Sequence, residues 1–360
     1  MTIQNSYLYL RGLRQVDHTV FCVSDGQKTY RDPVTGREVP YSSGQQVKRS
    51  VLDEMTSVLD EFRAPITFNF TLSKTAGKID FKQGEPWSSC NPAFADQLIG
   101  GWMKASKDAK EGGTIKRRSP LSISAMRPLH PTLSGLNKEK NVTFDRSDHP
   151  EQHKIRVIDE QGKQVSQEDF LEALQGANRN APMRHWISGD NIGPRASGLF
   201  VYDIAIDLRA LFSVSLNTAE PELAKETIAA LKEAGWQESA DGIRLICPKE
   251  RRDQIIPALA HSLIHWRVTS NQSRTYSPQN TLAFAISKNA NRLGAAIRAD
   301  LTEESEYKRA EPILDTLDGV NVYTALTAKA YIREVVASAD ALEQAEADLT
   351  AQLLEFNYDA

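Results

Sequence analysis

The chain has little cysteine: three residues in 360, Cys22, Cys90 and Cys247, far apart in sequence. An odd, scattered set excludes a disulfide framework and a paired C-x-x-C zinc site, and it suits a reducing cytoplasm. No apolar run approaches the roughly 18 residues that span a bilayer, so no membrane partner is expected. The opening MTIQNSYLYLRGLRQ lacks the continuous apolar core of a secretory signal. Nor is positive charge in excess: 43 Lys and Arg against 47 Asp and Glu give a net charge of -4. That argues against a protein that coats nucleic acid indiscriminately, so any nucleic-acid surface must be a local patch. Nothing after Arg333 is basic, and residues 334–359 are acidic; this region is expected to face a protein neighbour or solvent. G-x-x-x-x-G-K-[ST], G-x-S-x-G and H-E-x-x-H are all absent. Nothing here demands an enzyme, a cofactor or a metal.

What is present centres on residues 41–62, YSSGQQVKRSVLDEMTSVLDEF. Val47, Val51, Leu52, Met55, Val58, Leu59 and Phe62 recur at helical spacing and form one apolar stripe. Ser43 suits the N-cap, with Gln46 three residues later completing a capping-box pattern. The helix is predicted to begin beside Gly44 and to end before Ala64-Pro65, since the residue before proline avoids helical dihedrals. Lys48 and Arg49 fall in its first turns, where the macrodipole is positive and backbone N–H groups are unpaired. Two cations there are a misfit unless an anion meets them. Lys48 also falls inside the apolar arc, which aims it at the mouth of the packed layer. Ser42, Ser43, Gln45, Gln46, Lys48 and Arg49 together suit a phosphate backbone. The plainer alternative is that both cations pair with nearby carboxylates.

In chain order, residues 7–16 read as a first strand, 24–40 as a turn-rich loop, and 66–72 as a half-buried alternating strand. Residues 92–105 suggest a short helix ended near Gly100-Gly101, and 115–126 a strand. From 126 to 195 prolines and polar residues dominate, with a short strand at 154–159 and a short helix at 166–174; we read this segment as an insertion. Residues 197–212 give the strongest strand signal and are expected to be central. A helix at 221–234, a short strand at 243–247, a helix at 253–265 and a strand at 281–286 follow. Stretches 307–317, 324–337 and 339–354 look helical. The composite is an α+β fold, an antiparallel sheet with helices on one face. Its parts are 1–125, an insertion at 126–195, a second part at 196–290, and a helical C-terminal part at 291–360.

Two further stretches could bind a polyanion. Lys116, Arg117 and Arg118 lead into a strand, and NQSRTYSPQN at 271–280 offers amides, hydroxyls, Arg274 and the ring of Tyr276. Such residues suit the sugar, phosphate and bases of single-stranded RNA, although each could be a solvated loop. His149 with His153, and His261 with His265, are spaced four apart; we read both pairs as surface or packing residues, the second lacking a carboxylate on its stripe. Asp17, Asp25 and Asp32 are read as turn formers. No helix-turn-helix with a basic recognition helix is visible, which disfavours a solitary DNA-binding regulator.

The order of these motifs carries a resemblance. Ser42, Ser43, Lys48 and Arg49 at a helix start, Asp96 with Gly101, the basic lead-in at 116–118, and Gln272 through Pro278 resemble the CasC/DevR-type backbone subunit of CRISPR Cascade, the seventh family of Cas nomenclature. The similarity spans most of residues 6–290. It implies a modified RRM-like (ferredoxin-like) palm, helical fingers, and a long thumb at 126–195. It further implies a non-catalytic subunit that lines up with further copies of itself along a CRISPR RNA guide. Its partners would be that guide, the target DNA strand paired to it, and other Cascade subunits. Carried over by position, Ser42, Ser43, Gln45, Gln46, Lys48 and Arg49 would grip the guide; Lys116, Arg117, Arg118, Met126 and Arg127, at the thumb base, would also face the RNA; Asn271, Gln272 and Arg274 would add contacts. The chain departs from the pattern at Leu98-Ile99-Gly100-Gly101, where relatives commonly have Phe-Gly, and it has no RNP1-like aromatic signature. In related type III backbones a loop aspartate cuts target RNA; Asp25 or Asp32 would match that position.

Overall fold

A computed structural model describes residues 6–21, 27–75, 78–105, 113–137, 141–143, 156–178, 186–188, 194–268, 276–302 and 309–359. Thirteen residues of alternating burial, Tyr7–Thr19, form strand β1. It runs antiparallel to β3, Arg195–Asp207, with Leu10 opposite Ile204, and to β4, Gln279–Ser287, with Leu10 opposite Ile286. Between β1 and β3 in sequence lie helix α1, Gly44–Val58, and strand β2, Leu121–Ile123; between β3 and β4 lies α2, Lys249–His265. Strand β5, Val320–Thr324, pairs with β4. The sheet order is β2-β3-β1-β4-β5, all antiparallel. The expectation of an α+β fold holds; the strand expected at 197–212 lies inside the sheet between β2 and β1 but ends at Asp207, with Leu208–Leu211 helical, and β1 is the middle strand.

Apolar periodicity builds the first turns of α1 as expected, but the helix ends at Val58, short of Ala64-Pro65, and Val58 and Phe62 of the expected stripe are exposed. Val47, Val51, Leu52 and Met55 are buried, each contributing roughly 1.5–3 kcal/mol. They pack with Leu8, Leu10, Phe200 and Ile204 of the sheet and Ile255, Leu259 and Leu263 of α2. Helix α3, Ala341–Glu355, packs on α2 through Ala345, Leu349 and Leu353. The opposite sheet face is covered too: Leu13, Val201, Ala283 and Ala285 pack with Leu293, Ile297, Val320, Ala328 and Ile332.

Three expectations need correction. The C-terminal part is not all helical: Ile297–Thr302 pairs with Arg309–Leu314, and β5 extends the main sheet. Helices and turns cover both sheet faces, since β1 and β4 carry apolar residues on each. Finally, 66–72 is not a half-buried sheet strand. Phe70–Thr75 forms a hairpin with Lys78–Gln83, and Phe68, Phe70 and Leu72 are exposed.

The chain divides into two compact units, Asn137–Arg195 and the remainder. In the smaller unit Asn141–Thr143 pairs with Trp186–Ser188 and Val157–Ile158 with Gln164–Val165. Its helix, Gln167–Gly176, is capped by Ser166, whose Oγ accepts from the Asp169 N–H at 3.0 Å. Among the described residues no helix is long and apolar enough to cross a membrane.

Candidate nucleic-acid interface

Two backbone hydrogen bonds seat the start of α1. Ser42 N–H donates to Met126 O at 3.0 Å, and Met126 N–H returns a bond to Ser42 O at 2.9 Å. Gly44, the first helical residue, lies so close to β2 that a Cβ would fall 2.5 Å from Ile123 O. Only glycine permits that approach. Ser43 then caps the helix, its Oγ accepting from Gln46 N–H at 3.3 Å. The reciprocal half of the capping box is replaced: Gln46 Oε1 accepts from Ser42 Oγ at 3.0 Å. Gln46 Nε2 is buried without a hydrogen-bond partner among the described residues.

The two cations of α1 part company here. Arg49 is exposed and held by Asp53, Nε to Oδ2 at 2.9 Å. Asp53 also takes Arg63, Nη1 to Oδ1 at 2.7 Å. Lys48 is half-buried, and no hydrogen bond or ion pair ties it to any described residue. Burial pushes its pKa down to about 8, and the charge of Arg117 adds to the fall. The expected misfit is therefore real for Lys48 and relieved for Arg49.

Lys48 opens into a groove lined by Gln45, Arg49, Arg63, Ser88, Gln97 and Gly100. The floor comes from the six-residue helix Ala95–Gly100. Buried Asp96 anchors the groove wall by accepting from Ala64 N–H at 3.1 Å. Gly101 ends that helix at φ 74, where a Cβ would fall 2.7 Å from Arg117 O; positive φ and close backbone both call for glycine. Gln97 Oε1 is buried without a hydrogen-bond partner among the described residues. Arg63 and Gln97 were not singled out from sequence; Arg63 joins Asp53 across ten residues, outside any helical period.

The basic run at 116–118 is not one patch. In the strand Ile115–Arg117 burial alternates, so Lys116 is exposed and Arg117 buried. Arg117 donates from Nη1 to Leu98 O at 2.5 Å and from Nη2 to Ala210 O at 2.6 Å and Ser213 O at 3.0 Å. Burial lowers it to about 10, against the opposing pull of Glu222. Its expected place as a surface guide contact is corrected: its guanidinium cross-links backbone carbonyls. Arg118 lines a different cleft, of about 1030 Å³, with Arg209 and Arg244. Met126 is fully buried, which corrects its reading as a guide-facing residue at a thumb base, and Arg127 shares Asp203 with Arg11. Asn271, Gln272 and Arg274 lie outside the described residues, as do Asp25, His149 and His153. Tyr276 is exposed beside Arg267, whose Nη1 donates to its hydroxyl at 3.1 Å. Asp32 Oδ1 accepts from Thr35 N–H at 2.7 Å and Thr35 Oγ at 2.8 Å, the arrangement of a turn former.

No family model matches the chain, and no curated protein matches it. Among solved structures it is similar in fold to a chain of a "CRISPR RNA-guided surveillance complex, pre-nicking", at 9% identity and TM-score 0.44, covering 97% of this chain and 89% of that one. A chain of another CRISPR RNA-guided surveillance complex is 11% identical at TM-score 0.38, with 97% and 84% covered. Csc2 of Thermofilum pendens is 10% identical at TM-score 0.31, with 80% and 68% covered. Two of these three are chains of CRISPR RNA-guided complexes. Likenesses this distant carry nothing about individual residues, so the case for a site rests on α1 and its groove.

Proposed function

We propose that this chain is a non-catalytic backbone subunit of a type I CRISPR effector (Cascade) complex. In this reading it oligomerises along the CRISPR RNA, grips the sugar–phosphate chain at the entrance of α1, and presents spacer bases to target DNA. The helix order β1-α1-β2-β3-α2-β4 supports an RRM-like palm, with the thumb supplied by 126–195. One observation carries the proposal: Lys48 is half-buried in a groove at a helix entrance, and among the described residues no carboxylate forms an ion pair with it. A phosphate would supply that charge and also meet the first-turn N–H groups. Gln97, whose Oε1 has no hydrogen-bond partner among the described residues, lines the same groove.

The test is Lys48→Ala with Arg49→Ala in the assembled complex. Guide affinity is expected to fall about tenfold per lost charge-assisted contact. The slope of log affinity against log salt should become shallower by roughly 0.7 per lost phosphate, the single-strand value. Unchanged affinity, slope and assembly would remove α1 from the interface. Sequencing RNA that copurifies with the wild-type chain should return spacer–repeat fragments.

A further inference from the structure

At the far end of α1's partner helix lies a cluster with different chemistry. His261 and His265 are one turn apart on α2, so their rings share a face. They stack at 4.5 Å between centroids with 27° between planes. The sequence places no carboxylate on that stripe, but the fold brings one from α3: Glu346 Oε2 lies 2.9 Å from His261 Nδ1 and 3.6 Å from His265 Nε2. One ligand atom from each of the three residues falls within 4.8 Å of the others. A second carboxylate arrives from α1, with Glu54 Oε1 3.7 Å from the other nitrogen of His261, Nε2. All four side chains are partly exposed, which leaves a way in for an ion.

We propose that His261, His265 and Glu346 form a site for a divalent transition metal of the zinc type. Two imidazole nitrogens and one carboxylate oxygen are a donor set that zinc takes at about 2.0–2.2 Å, leaving a fourth position for water. Small side-chain rotations would bring the three atoms to that spacing. With Nδ1 of His261 facing Glu346 and the metal, Nε2–H points to Glu54, the carboxylate–histidine–metal arrangement that fixes tautomer and ring orientation. Glu54 is thus a positioning residue and not a ligand. The ion would clip α3 to α2 and, through Glu54, tie both to the helix that carries Lys48.

The probe is ZnCl2 alone, titrated into the full-length, RNA-free chain, with Co2+ absorption to report coordination. One equivalent is expected to bind and to raise Tm by a few degrees through mass action. His265→Ala and Glu346→Gln should each weaken binding by at least about tenfold and abolish the Tm shift, while Glu54→Gln should cost about tenfold with Co2+ still tetrahedral. Because the sites are partly exposed, these variants should fold with the wild-type far-UV spectrum. His149→Ala with His153→Ala is the control for the other spaced pair. Absence of saturable one-to-one binding overturns the site. So does binding that survives both His265→Ala and Glu346→Gln, or that disappears only in the His149/His153 variant.

Discussion

Arg117 and Lys48 are near enough for their charges to interact, yet their surroundings assign them opposite tasks. Arg117 is buried, its Nη1 and Nη2 donate to carbonyls of other segments, and its Nε faces the Glu222 carboxylate at 3.9 Å. Lys48 is only half-buried, and nothing in the described protein answers it. The first is a cation used by the fold; the second is a cation the fold tolerates. Basic residues at a suspected nucleic-acid surface are therefore better sorted by whether their donors are already engaged than by how many stand in a row.

The largest expected effect tests the structural half of that contrast. Arg117→Ala strips partners from the carbonyls of Leu98, Ala210 and Ser213, and buried acceptors left unpaired are costly. Stability should fall by about 3–5 kcal/mol in denaturant titration. The affinity of the chain that remains folded for RNA should barely move. A stable Arg117→Ala variant with weakened RNA binding would reverse the two roles.

How far this was legible in sequence depends on the range of the interactions. The α1 cap, its stripe and the odd position of Lys48 follow from spacing within one helix, and the structure has Ser43 and Val47 through Met55 where that spacing puts them. The split of Lys116 from Arg117 was also present, as the period of two in a strand, but a run of three cations hides it. β5 was missed because its pairing with β4 is set across more than thirty residues, and 324–337 carries apolar spacings that mimic a helix. In the hairpin at 70–83 alternation correctly marks a strand but says nothing of whether a neighbouring layer covers it. The joining of Glu346 to His261 is a matter of helix packing alone.

The functional half of the contrast is testable by pH. Lys48 has a pKa near 8 in the folded chain against its ordinary 10.5, so between these values the unfolded chain binds the extra proton. Its contribution to stability therefore rises with pH across about 8 to 10.5 and is unfavourable below. A phosphate beside it would restore the charge, so guide affinity at fixed salt should drop as pH goes from 7 to 9. Lys48→Arg, charged throughout, should bind with little change over that window. If the wild type is also flat, Lys48 is not in contact with the guide.

Arg49 lies between the two extremes and supplies the finest test. Its pair with Asp53 is exposed and spaced i,i+4, so by itself it stabilises by only about 0.3–0.5 kcal/mol. Asp53→Asn releases Arg49 and removes one of the two carboxylates that hold Arg63, which keeps Asp96 at 3.5 Å. If Arg49 serves the guide, losing that negative charge should tighten RNA binding by about two- to fivefold, with stability down by less than about 1 kcal/mol. The competing outcome is instructive. Weaker RNA binding in Asp53→Asn would mean that the carboxylate aims the guanidinium at the phosphate, and a charge pair on the surface would then count as part of the interface and not as a cation withdrawn from it.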